Sequence, residues 1–164
     1  MSIEIREAQE FDANDIAKIY NHYVVESTAT FDTMPLRKDD FLRKIKSIKK
    51  NFPFLVVTEH DKVIGYAYAT SWNTRAAYKH TAETTIYLDP SQKGNGTGIR
   101  LYNALLSSLP LYDIVTAIGG ITIPNEASEK LHAKLGFEKV AHFKNVGFKF
   151  DQWLDVGYWQ KNVA

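Results

Sequence analysis

Apolar residues recur along this chain at two periods, and the period assigns each segment to a strand or a helix. Ile3-Glu4-Ile5-Arg6 alternates apolar and polar, as a short strand with one buried face does. Asp12 then stands as an N-cap with Asp15 three residues on, ahead of Ile16, Ile19, Tyr20, Tyr23 and Val24 at helical spacing. A second helix is predicted from about Arg37 to Lys50, burying Phe41, Leu42, Ile45 and Ile48. Phe54 to Thr58 reads as a strand, and the polar turn His60-Asp61-Lys62 leads into another, Val63 to Thr70, as a hairpin.

Beyond an aromatic and basic loop, Ser71 to His80, the β-branched run Thr84-Thr85-Ile86 marks a strand over Thr81–Leu88 that Asp89-Pro90 stops. Ile99, Tyr102, Leu105, Leu106 and Leu109 repeat at helical spacing, predicting a helix over Ile99–Ser108. Ile114–Ile118 is a further strand. Pro124-Asn125-Glu126-Ala127-Ser128 opens a helix through Leu135, which Gly136 closes. Two more strands are expected near Glu138–Phe143 and Asp155–Gln160. No repeat, low-complexity tract or linker interrupts this order. The pattern is that of a single α+β domain over residues 1–164, with a largely antiparallel central sheet flanked by helices.

Composition narrows the field further. A chain of 164 residues buries a core without disulfides or metal. Its formal net charge of +1 lacks the concentrated basic face that nucleic acid demands. The absence of cysteine excludes thiolate metal sites and any cysteine nucleophile. The five histidines show no metal-ligand spacing, so no metal is expected. Glu4 and Glu7 break any apolar signal core, and no apolar run approaches the roughly 18 residues of a membrane span. The expectation is a cytoplasmic protein with neither membrane nor nucleic-acid partners.

Between the Thr81–Leu88 strand and the following helix lies Gln92-Lys93-Gly94-Asn95-Gly96-Thr97-Gly98, with glycines at every second position. Glycines let bare backbone N–H groups converge, and a helix N-terminus adds positive potential, so the segment is suited to phosphate. A nucleoside-triphosphate loop needs Gly-Lys-Ser/Thr, whereas Gly98 is followed by Ile99-Arg100. A dinucleotide fingerprint needs G-x-G-x-x-G in a parallel unit, and this spacing differs. A plain glycine-rich surface turn is a further reading.

Lys93-Gly94-Asn95-Gly96-Thr97-Gly98 resembles the R/Q-x-x-G-x-G/A pyrophosphate loop of the GNAT acetyltransferases, with Lys93 where the family has Gln or Arg. Lysine offers charge there without arginine's planar fork. Asn125 to Phe137 resembles the family's N-x-x-[AS]-x-x-[LF]-Y-x-x-x-G-[FY] segment. Over nearly its whole length the chain is similar to the phosphinothricin and methionine sulfone or sulfoximine acetyltransferase branch. The residues carrying this include Ile19 to Tyr23, Ser27-Thr28, Phe31, Trp72, Arg75, Thr81 to Tyr87, Gly147-Phe148-Lys149, Trp153 and Asp155 to Gln160. The resemblance implies the GNAT acyl-CoA N-acyltransferase fold, acetyl-CoA as co-substrate, a small amino-acid-like amine as acceptor, and a homodimer. It also implies direct attack of the amine in a ternary complex. Other acceptors (a protein N-terminus, a polyamine, an aminoglycoside) and a non-catalytic acyl-CoA-binding module are the alternative readings.

Acetyl transfer to an amine requires a base for the amine, a donor for the oxyanion and a proton for the thiolate. Glu83 is the candidate base, the bland alternative being a solvent-facing edge residue. Alternation puts Glu83, Thr85 and Tyr87 on one face and Thr84, Ile86 and Leu88 on the other. His132 occupies the position where the family often has a tyrosine acid. It reads equally well as a half-buried helix residue, and Tyr102 reads as packing. The resemblance assigns the donor to the backbone of Ile86, Tyr87 and Leu88, to Lys93, Gly94, Asn95, Gly96, Thr97, Gly98 and Ile99, and to Asn125 and Ser128. Asn125 is a helix cap, a cofactor contact or both. For the acceptor, Arg75 is the candidate carboxylate clamp, with Phe31, Trp72, Tyr78, Thr85 and Lys149 around it.

Overall fold

A computed structural model describes residues 2–92 and 94–164. In chain order it comprises β1 (Ile3–Glu7), α1 (Ala13–Glu26), α2 (Lys38–Lys49), β2 (Phe54–Glu59), β3 (Lys62–Ser71) and β4 (Thr81–Leu88). Then follow α3 (Thr97–Ser108), β5 (Thr116–Ile123), α4 (Glu126–Lys134), β6 (Glu138–Lys149) and β7 (Gln152–Asn162). The strands form one sheet in the order β1-β2-β3-β4-β5-β7-β6. Every neighbouring pair is antiparallel except β4 and β5.

Strand alternation builds a core on each face of this sheet. On β3, Tyr66 and Tyr68 point to the side of α1 and α2, where they meet Ile16, Tyr20, Phe41 and Ile45. Ala67 and Ala69 point to the other side and, with Ala82 and Ala117, give a shallow bed for Leu101, Tyr102 and Leu105 of α3. A strand covered by helices on both faces reads as an unbroken apolar run, as Val63 to Ala69 does. No helix among the described residues is long and apolar enough to cross a membrane.

Several local expectations are revised, beginning with the strand expected over Ile114–Ile118, which starts at Thr116 and continues to Ile123. Helix α3 starts two residues early, at Thr97, because Gly96 turns left-handed as its N-cap. The last two strands are longer than their alternation indicated and meet in a two-residue turn, Phe150-Asp151, with both residues at positive φ. Asp12 precedes α1 but makes no side-chain cap there. Its carboxylate instead accepts a bidentate pair from Arg6 (2.8 and 2.9 Å) and the Gln9 amide (2.8 Å), tying β1 to the start of α1.

Asp12 is 3% exposed and Arg6 27%. Asp12→Ala strands a half-covered guanidinium, and a loss of about 2–3 kcal/mol is expected, below that for a fully buried pair. The denaturant midpoint at constant m measures it; a shift within experimental scatter would class the pair with inconsequential surface bridges.

Candidate active site

The parallel contact of β4 with β5 is only three pairs long: Thr81 with Thr116, Ala82 with Ala117, and Glu83 with Ile118. Past Glu83, β4 stays paired with β3 as far as Leu88, and β5 stays paired with β7 as far as Ile123. The two strands part, and a cleft of about 1000 Å³ opens between their inner edges. The Asp89 amide donates to Ile64 O at 2.8 Å on the β3 side. By alternation the backbone groups of Ile86 and Leu88 face away from β3, toward the cleft. The Leu88 carbonyl accepts the Tyr23 hydroxyl at 2.5 Å. Backbone groups without a strand partner are sites for a ligand's amides.

The glycine loop closes one end. Gly94 and Gly96 have φ of +71° and +79°, with nothing within 4 Å of a Cβ added at either, so backbone conformation alone calls for glycine. Gly98 is crowded rather than left-handed: a Cβ there would lie 3.0 Å from Leu88 Cδ1, the end of a flexible side chain that would have to shift. Asn95 donates to Gln92 Oε1 (2.7 Å) and accepts the Thr97 amide (3.2 Å). The amides of Gly98 and Ile99 lie in the first turn of α3, where no carbonyl precedes them within the helix. Gly94, Asn95, Gly96, Gly98 and Ile99 line the cleft. Thr97, expected with them, is buried, and its amide is taken by Asn95. Lys93 lies outside the described residues.

Two groups of polar side chains flank the fork on opposite faces, and the pair Gly119-Gly120 makes room for both. A Cβ on Gly120 would lie 3.7 Å from Glu83 Oε2 and 3.1 Å from Tyr158 Cε1. A Cβ on Gly119 would lie 2.7 Å from His132 Nε2. Burial pushes the Glu83 carboxyl above its ordinary pKa. Tyr158 is raised as well, by burial first and then by the Glu83 charge. Tyr158 pairs with Gly120 across β5–β7, and the edges of Trp72 (5.3 Å) and Phe143 (5.8 Å) hold its ring. It is a cleft residue that the sequence marked only as part of the Asp155 to Gln160 stretch carrying the resemblance, with no site role assigned.

On the other face, Thr84 Oγ1 lies 2.6 Å from the Tyr102 hydroxyl, and that hydroxyl 2.8 Å from His132 Nε2. His132 Nδ1 lies 2.8 Å from Ser128 O. His132 lines the cleft at 4% exposure with both ring nitrogens engaged. Burial lowers its pKa, against a smaller upward pull from the Ser128 carbonyl. Tyr102 packs, as expected, against His132 and Phe137, but its hydroxyl also joins this chain. Asn125 and Ser128 line the cleft. Asn125 Oδ1 caps α4 by accepting the Ser128 amide (3.2 Å), and Glu129 Oε2 accepts the Asn125 amide in turn (3.2 Å).

At the other end of the cleft stand Phe31, Thr85 and Tyr158. Phe31 lies flat on Gly147, where a Cβ would fall 2.4 Å from its ring. Its loop is fixed by the Tyr20 hydroxyl, which bonds Asp32 and Thr30 Oγ1. Lys149 does not wall the pocket. Its ammonium is buried against the carbonyls of Ser27 (2.7 Å) and Thr30 (2.8 Å), with Tyr23 O at 3.5 Å, and it fastens this loop to the end of α1. Trp72, Arg75 and Tyr78 ride the Ser71–His80 loop, and none of them lines the cleft within one chain. Arg75 is exposed at the start of a 3-10 turn, with its amide on Asn73 Oδ1, while Trp72 touches the rim through Tyr158. Among the described residues no three His, Asp or Glu side chains converge as a metal site would require.

Residues 5–157 match the family model of the acetyltransferase (GNAT) domain. The chain is 35% identical to the phosphinothricin N-acetyltransferase of Streptomyces coelicolor, covering 97% of this chain and 95% of that protein. It is 32% identical to the L-methionine sulfoximine/L-methionine sulfone acetyltransferase of Salmonella typhimurium, with 95% and 92% covered. It also superposes, with a TM-score of 0.94, on a GNAT superfamily phosphinothricin acetyltransferase from Sinorhizobium meliloti solved in complex with acetyl-CoA. That structure is 32% identical, with 99% of this chain and 89% of the other covered.

Proposed function

The chain belongs to the GNAT acetyltransferases, and we propose that it transfers acetyl from acetyl-CoA to the amino group of a small amino-acid-like acceptor. The acceptor class is that of phosphinothricin, methionine sulfoximine and methionine sulfone. The observation that carries this reading is the fork itself, with a half-buried carboxylate at its apex and a glycine cradle at its mouth.

Acetyl-CoA supplies an activated acyl group whose thiol departs. The amides of Gly98 and Ile99, with Gly94, Asn95 and Gly96, hold its pyrophosphate, and Lys93 adds charge. Ile86 and Leu88 extend β4 along its amide-bearing arm through their backbone, and Asn125 and Ser128 flank it; Tyr87, expected with them, turns its backbone to Tyr66 of β3 instead. Glu83 takes the ammonium proton of the acceptor, whose nitrogen then attacks directly; an amide of β4 stabilises the oxyanion. Phe31, Thr85 and Tyr158 bound the acceptor, with Trp72 and Tyr78 beyond them, and Arg75 binds its carboxylate. A homodimer accompanies this reading. Phe143, Val146, Phe148 and Trp153 of the β6–β7 hairpin are each at least half exposed, an apolar stripe suited to a second copy.

Thioester consumption measured across methionine sulfone, methionine sulfoximine, phosphinothricin, a polyamine, an aminoglycoside and an N-terminal peptide tests the acceptor class. Values of kcat/KM are expected to be highest for the first three, and preference for a polyamine would overturn the assignment. Arg75→Ala is expected to raise KM for the amino-acid acceptors about tenfold or more while sparing a simple alkylamine, the cost of losing a charge-assisted fork. Equal effects on both would remove Arg75 as the clamp.

A further inference from the structure

We propose that Thr84, Tyr102 and His132 form a proton shuttle that takes a proton from the attacking nitrogen and returns it to the departing sulfur. The proposal rests on the acetyl-transfer reading above and adds the route by which the second proton moves.

Hydrogen-bond chemistry gives the chain a direction. The Ser128 carbonyl only accepts, so His132 Nδ1 must carry a proton to bond it at 2.8 Å. In the neutral imidazole Nε2 is then bare, and the Tyr102 hydroxyl, 2.8 Å away, donates to it. With its own proton committed, the Tyr102 oxygen accepts from Thr84 Oγ1 at 2.6 Å. The Thr84 carbonyl-side alternative, Ile118 O, lies at 3.5 Å and is the poorer partner. Every proton therefore points inward along the chain, and the lone pairs of Thr84 Oγ1 are left free to accept.

His132 Nε2 is closed off by Tyr102 and by the backbone of Gly119, where no Cβ fits. Thr84 is the first β4 residue past the last β4–β5 pair, beside Glu83, and it lines the cleft. Tyr102 is fully buried between Thr84 and His132. Glu83 and Thr84, as successive strand residues, face opposite sides of the sheet, so two protons have two separate acceptors.

The transfers balance. Glu83 takes the ammonium proton before attack. After the C–N bond forms, the nitrogen still carries one proton too many: that N–H bond breaks to Thr84 Oγ1, the Thr84 proton passes to Tyr102, and the Tyr102 proton passes to His132 Nε2. The chain now points outward. The imidazolium proton returns along the same atoms, the C–S bond breaks and an S–H bond forms. Both hydroxyls and the imidazole end as they began, no electrons are transferred, and no further reactant is needed.

Tyr102→Phe cuts the chain at its centre with the ring kept, and Thr84→Val cuts it at the cleft with the shape kept. In long-range 1H–15N spectra of the free protein, His132 is expected as the Nδ1–H tautomer, with the Nε2 resonance moving in Tyr102→Phe. An Nε2–H tautomer in the wild type would overturn the shuttle. In turnover, both variants are expected to lose about 10- to 100-fold in kcat, with KM for acetyl-CoA within about twofold. The solvent-deuterium proton inventory on kcat should be bowed in the wild type and linear in both variants, which a packing role for Tyr102 would not produce. Variants with unchanged kcat and inventory would overturn the shuttle and leave acetyl transfer standing. A wild type that acetylates no amine would overturn the acetyl-transfer reading and the shuttle with it.

Discussion

Glu83→Gln is expected to lower kcat by roughly 10²- to 10⁴-fold, the range for losing a positioned general base, while acetyl-CoA still binds. Glutamine keeps the size of the side chain and its polar end beside Gly120 and Tyr158, so the loss isolates proton acceptance. The pH profile carries a second signature. Only the ionised carboxylate accepts a proton, so activity rises with pH through the Glu83 pKa. Because burial raises that pKa, the acid limb should lie above the ordinary carboxylate range. In Glu83→Gln this limb should vanish. Unchanged turnover with the limb intact would assign the base elsewhere.

Gly96→Val is expected to weaken CoA binding about 100-fold, read by calorimetry with the non-reacting product so that chemistry does not enter. A β-branched residue at a φ of +79° costs on the order of 1–3 kcal/mol, and the relief available is to rotate the peptide that aims the first turn of α3. No atom lies within 4 Å of a Cβ at Gly96, so a steric clash does not account for the loss. Gly96→Asn separates the two causes, since asparagine tolerates left-handed backbone, and it should retain binding to within about tenfold. If both variants bind like the wild type, the cradle does not depend on this residue.

What was legible in the sequence was local. The apolar run of β3, the apolar face of α1 and the glycines before α3 each depend on residues a few positions apart, and each lies in the element expected of it. That Glu83 and His132 would lie beside the glycine loop's cleft was legible because motif context located them. The fork was not, because the length of the β4–β5 ladder depends on pairing between strands about 35 residues apart. Asp12 looked like a cap until Arg6, on another strand, gave its carboxylate a stronger partner. Lys149 looked like an acceptor contact because a charge near a binding motif invites that reading. Its ammonium meets carbonyls more than 110 residues away in sequence, an arrangement only the fold creates. Tyr102 has the periodicity of a core residue, and it is one; periodicity carries no information about where its hydroxyl points.

The unpaired edge of β4 has a consequence for how such a protein changes over generations. A ligand gripped through main-chain groups of Ile86 and Leu88 and of the glycine loop is nearly indifferent to which side chains those positions carry. The opposite end of the same cleft is walled by side chains, Phe31 on Gly147 and Tyr158 on Gly120, where one added methyl group reshapes the cavity. Mutation can therefore redraw the acceptor pocket while the donor grip persists. A gene of this kind can acquire a new amine to modify in few steps.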